Sequence, residues 1–190
     1  MNNKDFIFEI YKDQRTVFTI KEISLIINES DLSRLKQKVN YYVRKGYLIN
    51  IRRGVYIKKE YDIEELACKI YIPSYISLEY VLRKAGVIFQ YSEKISNVSY
   101  LSRTIEVGPN ELVYRKIKNE ILINTASVVR NTNGVNIATP ERAFLDILYL
   151  NKDFYFDNIS GLNIKLINKL LPIYRSKRLL LNVNNIIKNA

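Results

Sequence analysis

Histidine and tryptophan are absent from this chain of 190 residues, and cysteine occurs once, at Cys68. Without an imidazole there is no Ser-His-Asp or Cys-His arrangement and no histidine-metal nuclease, and a structural zinc site is excluded as well. One cysteine allows no internal disulfide. Flanked by Leu66, Ala67 and Ile70, it reads as a small core residue. Glycine is sparse, at 6 residues, and the chain holds neither a Gly-x4-Gly-Lys-Ser/Thr loop nor a Gly-x-Gly-x-x-Gly loop to cradle phosphate. Asp-x-Lys and Glu-x-Lys, the strand signature of restriction-type nucleases, are missing, as is a Gly-Ser dipeptide followed by Asp-x-Asp, the signature of nucleotidyl transfer. A carboxylate-only magnesium site stays conceivable. Glu141 and Asp146 have simpler explanations, however. Glu141 falls in the first turn of a helix, where a carboxylate suits the dipole, and Arg142 stands one turn before Asp146, placed to pair with it. The chain therefore reads as a non-enzyme with no cofactor and no bound metal.

Long apolar runs are lacking too. No window comes near the roughly 18 apolar residues of a membrane span. The N-terminus, MNNKDFIFEIYKDQR, mixes acids and amides into its apolar residues, unlike a signal peptide. The expectation is a cytoplasmic protein with no membrane contact.

What the chain has in excess is positive charge. Lys and Arg number 30 against 19 Asp and Glu, a net charge of +11 that attracts polyanions. An apolar share of 47% with 26% charged residues is ordinary for a globular protein that buries its own core. The excess is densest early, with thirteen basic and seven acidic residues among the first sixty. Between Leu32 and Lys59 there are nine basic side chains (Arg34, Lys36, Lys38, Arg44, Lys45, Arg52, Arg53, Lys58 and Lys59) and no acid.

At 100° per residue, Leu32, Leu35, Val39, Tyr42 and Val43 share one stripe of a helix over 32–45, the spacing of an amphipathic helix docked on a core. The opposite face carries Ser30, Ser33, Arg34, Gln37, Tyr41 and Arg44. Asp31 stands where a carboxylate caps free N–H groups, and Gly46 where a left-handed residue stops the helix. Tyr47 to Ile51 and Val55 to Ile57 are two β-rich runs joined by Arg52-Arg53-Gly54, a short hairpin with arginines at its tip. Charge runs usually form solvated faces; here sidedness, missing acids and a hairpin coincide.

Before this stretch, Phe6, Ile7, Ile10 and Tyr11 have helical spacing, and residues 16–20 read as an extended run. Thr19 with Glu22 forms a capping box for a second helix ending near Asn28, with Ile23, Ile26 and Ile27 inward. That helix, the turn Asn28-Glu29-Ser30 and the basic helix have helix-turn-helix spacing, and the basic hairpin makes it the winged form. After Lys59 the pattern predicts helices over 63–71 and 77–85. Strands follow over 97–101, 103–107, 111–117 and 121–123, then a hairpin of 128–130 with 135–137. A helix starts with Thr139 as N-cap and Pro140 in its first turn, and two more lie near 163–171 and 175–188. The expected fold is α+β: a winged helix-turn-helix over residues 1–60, then an α+β domain over 61–190 with a small antiparallel sheet and flanking helices.

Three blocks carry a family resemblance: Arg52-Arg53-Gly54-Val55-Tyr56 at the hairpin, residues 73–82 (PSYISLEYVL), and residues 137–146 (IATPERAFLD). In this order, over most of the chain, they resemble the AbiEi family of antitoxins from type IV toxin–antitoxin systems. The resemblance implies a repressor of its own promoter in a phage-defence or plasmid-stability setting. It also implies a nucleotidyltransferase-like toxin as functional partner, countered without a stable complex.

The residues themselves point to sequence-specific binding of double-stranded DNA, at inverted repeats read by two monomers. Ser33, Arg34 and Gln37 are the candidates for base readout, Lys38, Tyr41, Arg44 and Lys45 for phosphate contacts, and Arg52 and Arg53 for a minor groove or the backbone. A single-strand platform of Tyr41, Tyr42, Tyr47 and Tyr56 is the weaker reading, because Tyr42 falls on the core stripe and the others alternate with apolar residues. The alternative of a different class is an interaction module whose basic face neutralises an acidic or toxin partner directly.

Overall fold

The computed structural model describes residues 3–188. They form two units, one up to Ile70 and one from Tyr71, each with its own sheet and helices. The chain is thus a mixed α and β protein, and the first unit continues past residue 60.

In that unit the order is α1 (Asn3–Lys12), β1 (Val17–Thr19), α2 (Ile20–Ile27), α3 (Leu32–Arg44), β2 (Ile49–Arg52), β3 (Val55–Ile57) and α4 (Ile63–Ile70). The strands form an antiparallel sheet in the order β1-β3-β2, so the first short run pairs with the hairpin. The core gathers Phe6 and Ile10, Phe18, Ile23 and Ile27, Leu35, Val39 and Tyr42, then Leu48 and Tyr56. The rings of Phe6 and Tyr42 stack at 4.8 Å. Leu32, expected on the inward stripe, is exposed: it opens the helix one turn before Leu35, beyond the reach of the core.

Charged groups tie α4 to the start of the chain, which is why it belongs to this unit. Glu65 is fully buried, and its Oε2 accepts from the N–H of Thr16 (2.8 Å) and of Val17 (3.0 Å). Lys69 Nζ donates to Glu22, which Arg15 also meets at 3.3 Å, while Arg15 pairs with Asp13 at 2.7 Å. Glu22 also closes the expected capping box with Thr19. Burial pushes the Glu22 carboxyl up, but Lys69 and Thr19 together hold it below its ordinary value; Arg15 does the same for Asp13.

The second unit runs β4 (Ser74–Ile76), α5 (Leu78–Lys84), β5 (Ile95–Ser99), β6 (Arg103–Val107), β7 (Asn110–Lys116) and α6 (Asn119–Leu122). It ends with β8 (Val128–Arg130), β9 (Asn136–Ala138), α7 (Pro140–Leu150), α8 (Ile164–Leu170), a 3-10 turn (Leu171–Tyr174) and α9 (Lys177–Lys188). Six strands lie in the order β6-β7-β5-β4-β9-β8. The expected small antiparallel sheet is therefore corrected to a mixed one. The hairpins β6-β7 and β8-β9 are antiparallel, but they join the centre through the parallel pairs β5 with β7 and β4 with β9. Residues 121–123, expected as a strand, fall in α6 and just after it, where Ile121 and Leu122 are buried; three apolar residues have no periodicity to tell the two states apart.

At the centre of this unit Arg142 and Asp146, both fully buried, pair one helical turn apart on α7 at 3.3 Å. All five guanidinium hydrogens find acceptors. Nη1 donates to the carbonyls of Asn124 (3.3 Å) and Ala126 (3.2 Å), and Nη2 to the Ile121 carbonyl (2.8 Å) and the Tyr75 hydroxyl (3.0 Å). Asp146 accepts in addition from the hydroxyls of Tyr174 (2.7 Å), Ser77 (2.8 Å) and Tyr75 (3.0 Å). Burial works against the Arg142 charge, but Tyr174, Asp146 and Tyr75 outweigh it and raise its pKa. Around the same node, burial pushes the Asp146 carboxyl up against the pull of Arg142 and the three hydroxyls.

Removing the cation alone leaves a buried carboxylate unpaired, so Arg142→Met is expected to cost about 3–5 kcal/mol, read as a lower urea midpoint, and adding Asp146→Leu is expected to recover part of it. In the first unit, the folded carboxyls of Asp13 and Glu22 lie below their ordinary values of 3.8 and 4.5, so the unfolded chain takes up these protons first. Their stabilisation is present above those ordinary values and lost as pH falls through the folded ones. Glu22→Gln is accordingly expected to be less stable than the wild type near neutrality, with the gap in urea midpoint closing towards acid.

Candidate nucleic-acid interface

The turn between α2 and α3 is set by local chemistry. Asn28 takes a left-handed conformation at φ 54°, and the Ser24 hydroxyl donates to the Glu29 carbonyl at 2.6 Å. Asp31 then caps α3, with Oδ1 accepting from the N–H of Ser33 (2.9 Å) and of Arg34 (3.1 Å). At the far end Gly46, at φ +72°, donates to the Val43 carbonyl, and Tyr47 donates back to the Tyr42 carbonyl, both at 3.0 Å. This closure satisfies the last carbonyls and turns the chain sharply towards the hairpin.

With Leu35, Val39 and Tyr42 fixed on the core, the other side of α3 faces outward. Ser33, Arg34, Gln37, Tyr41, Arg44 and Lys45 are all exposed, as the spacing predicts. The Lys45 ammonium lies 5.8 Å from the centre of the Tyr41 ring, and that ring packs edge-on against Tyr42 at 5.2 Å, so an exposed aromatic is held in place beside a cation. Lys38 differs from the rest. It is half-buried with its Nζ 3.5 Å from Glu29, an ion pair that competes with any phosphate for the same charge.

In the hairpin, Gly54 at φ +80° makes the reversal that leaves Arg52 and Arg53 exposed at the tip, with Val55, Tyr56 and Ile57 buried behind them. Lys58, one of the nine basic residues of the stretch, points inward: its Nζ donates to the carbonyls of Asp13 (2.6 Å) and Tyr11 (3.4 Å). The four-ring platform is not formed, since Tyr42 and Tyr56 are buried and only Tyr41 and Tyr47 are exposed.

Two exposed polar residues of α3 were not among the expected contacts, Lys36 and Asn40. Asn40 was within reach of the sequence: residues 33, 37, 40 and 44 follow the i, i+4, i+7, i+11 spacing that marks one helix face. Among the described residues no group of three or more His, Cys, Asp or Glu is arranged to hold a metal ion, and no helix is long and apolar enough to cross a membrane.

The Asp31 cap supplies the first turn of α3, so Asp31→Ala is expected to cost about 1 kcal/mol in urea unfolding and to speed hydrogen exchange at the amides of Ser33 and Arg34. No protein-family model matches the chain, and no curated protein matches its sequence.

Proposed function

We propose that the first unit is a winged helix-turn-helix that binds double-stranded DNA, with α3 in the major groove and the β2-β3 hairpin as a wing along the backbone or in a minor groove. The observation that carries this reading is the sidedness of α3: its inward face is apolar and buried, while its outward face combines Arg34, Gln37, Arg44 and Lys45 with no acid from Leu32 to Lys59. Arginine and glutamine are side chains that pair bidentately with guanine and adenine edges. Basic side chains at both ends of α3 and at the hairpin tip suit phosphates on either side of such a groove.

On this reading the protein is a transcriptional regulator. The resemblance to AbiEi antitoxins extends the proposal to repression of its own promoter and to opposition of a nucleotidyltransferase-like toxin without a stable complex. Mixing the protein with the product of the adjacent gene on a sizing column tests the second part, since a stoichiometric complex would favour direct neutralisation instead.

The first test is an anisotropy titration against the upstream region and a scrambled duplex at two salt concentrations. The expected result is a preference for the upstream region that survives the higher salt. Arg44→Ala is expected to weaken both duplexes and to reduce the slope of log K against log salt by about 1. Equal binding of both duplexes that collapses with salt would sink the proposal.

A further inference from the structure

The outward face of α3 is narrower in chemistry than its charge suggests. Taking the helix at about 100° per residue, Ser33, Gln37, Asn40 and Arg44 fall within about 60° of one another, opposite Leu35, Val39 and Tyr42, while Arg34 is turned towards the flank. All four are exposed. Two of them, Gln37 and Asn40, are carboxamides, which carry no charge and add nothing to the long-range electrostatic attraction for phosphate.

Asn40 is also a costly choice for its position. Asparagine is a weak helix former because its side chain competes for backbone groups, and Asn40 sits mid-helix, exposed, with no hydrogen bond to its side chain among the described residues. Within this unit its amide meets only solvent, so it is available to a ligand.

A carboxamide has one donor and one acceptor side by side, the complement of the N6 and N7 edge of adenine in a major groove. Gln37 and Asn40 are separated by about 4.5 Å along the helix axis, close to the roughly 3.4 Å between stacked base pairs. We infer that Asn40 is a specificity-determining residue, and that the duplex bound by α3 carries adjacent A·T pairs read by Gln37 and Asn40. This rests on the DNA-binding reading above and narrows the substrate class it implies. Arg44, next on the same stripe, stands at the end of that reading frame, and Arg34 becomes a flanking contact rather than a base reader.

The test is selection from a pool of duplexes with a randomised core, run in parallel on wild type, Asn40→Ala and Gln37→Ala, followed by titration of the winning duplex and its single-pair variants. The wild type should enrich two adjacent A·T pairs. Asn40→Ala should lose about tenfold or more of the discrimination at one of the pairs, and Gln37→Ala at the other. Thermal unfolding of Asn40→Ala should be unchanged or shifted upward, since alanine is the better helix former. A wild-type motif with G·C at those positions, or an Asn40→Ala motif identical to the wild type, overturns this inference and leaves DNA binding standing. No enrichment by the wild type overturns both.

Discussion

The rotation of one helix about its own axis decides what the first unit can present. Leu35, Val39 and Tyr42 are locked into the core, and the Tyr42 ring lies against Phe6 from α1. Turning α3 by a single residue would swing this apolar stripe out of the core and bring Arg34 and Lys38, or Lys36 and Asn40, in its place without partners, a cost of several kcal/mol for a charged group alone. Packing on one side therefore fixes, without any direct contact to a ligand, which side chains stand on the other. Caps at both ends, Asp31 and the closure around Gly46, fix where the face begins and stops.

The acids of this unit are distributed by the same logic. Asp13, Glu22 and Glu65 are engaged with backbone and basic groups around β1 and α4, Asp31 with the helix start, and Glu29 with Lys38. These five carboxylates are thus engaged within the unit, and the outward face of α3 and the hairpin tip keep an unbalanced positive charge. The second unit solves a different problem, joining two β-hairpins through parallel pairs to the central strands β5 and β4. There Arg142 and Asp146 reach from α7 to β4, to the start of α5, to the segment after α6 and to the 3-10 turn.

Much of the first unit was legible because its signals are local. The Thr19–Glu22 box, the Asp31 cap, Gly46 and, Leu32 apart, the inward stripe are patterns within a few residues that appear where the spacing puts them. The Arg142–Asp146 pairing was legible in the same way, as an i, i+4 spacing, but its burial was not, because that depends on Tyr75 and Tyr174, distant in sequence. The sheet of the second unit is not legible for the same reason. Its hairpins are local, whereas parallel partners such as β5 and β7 are set by crossovers, and β4 is three residues long between Pro73 and a helix start. Among the candidate contacts, Lys38 was counted by type alone; only the fold brings Glu29 beside it. Lys58 entered the basic stretch in the same way and is turned to backbone carbonyls.

The five-fold donation by Arg142 has an implication for how this position varies among sequences that keep the fold. Lysine preserves the charge but offers three hydrogens from one point, too few and too compact to reach Asp146, Tyr75 and three carbonyls at once. Charge conservation is therefore not enough at residue 142. Relatives that replace this arginine must redraw the chain from Ile121 to Ala126 along with it, and those that keep the segment must keep the guanidinium.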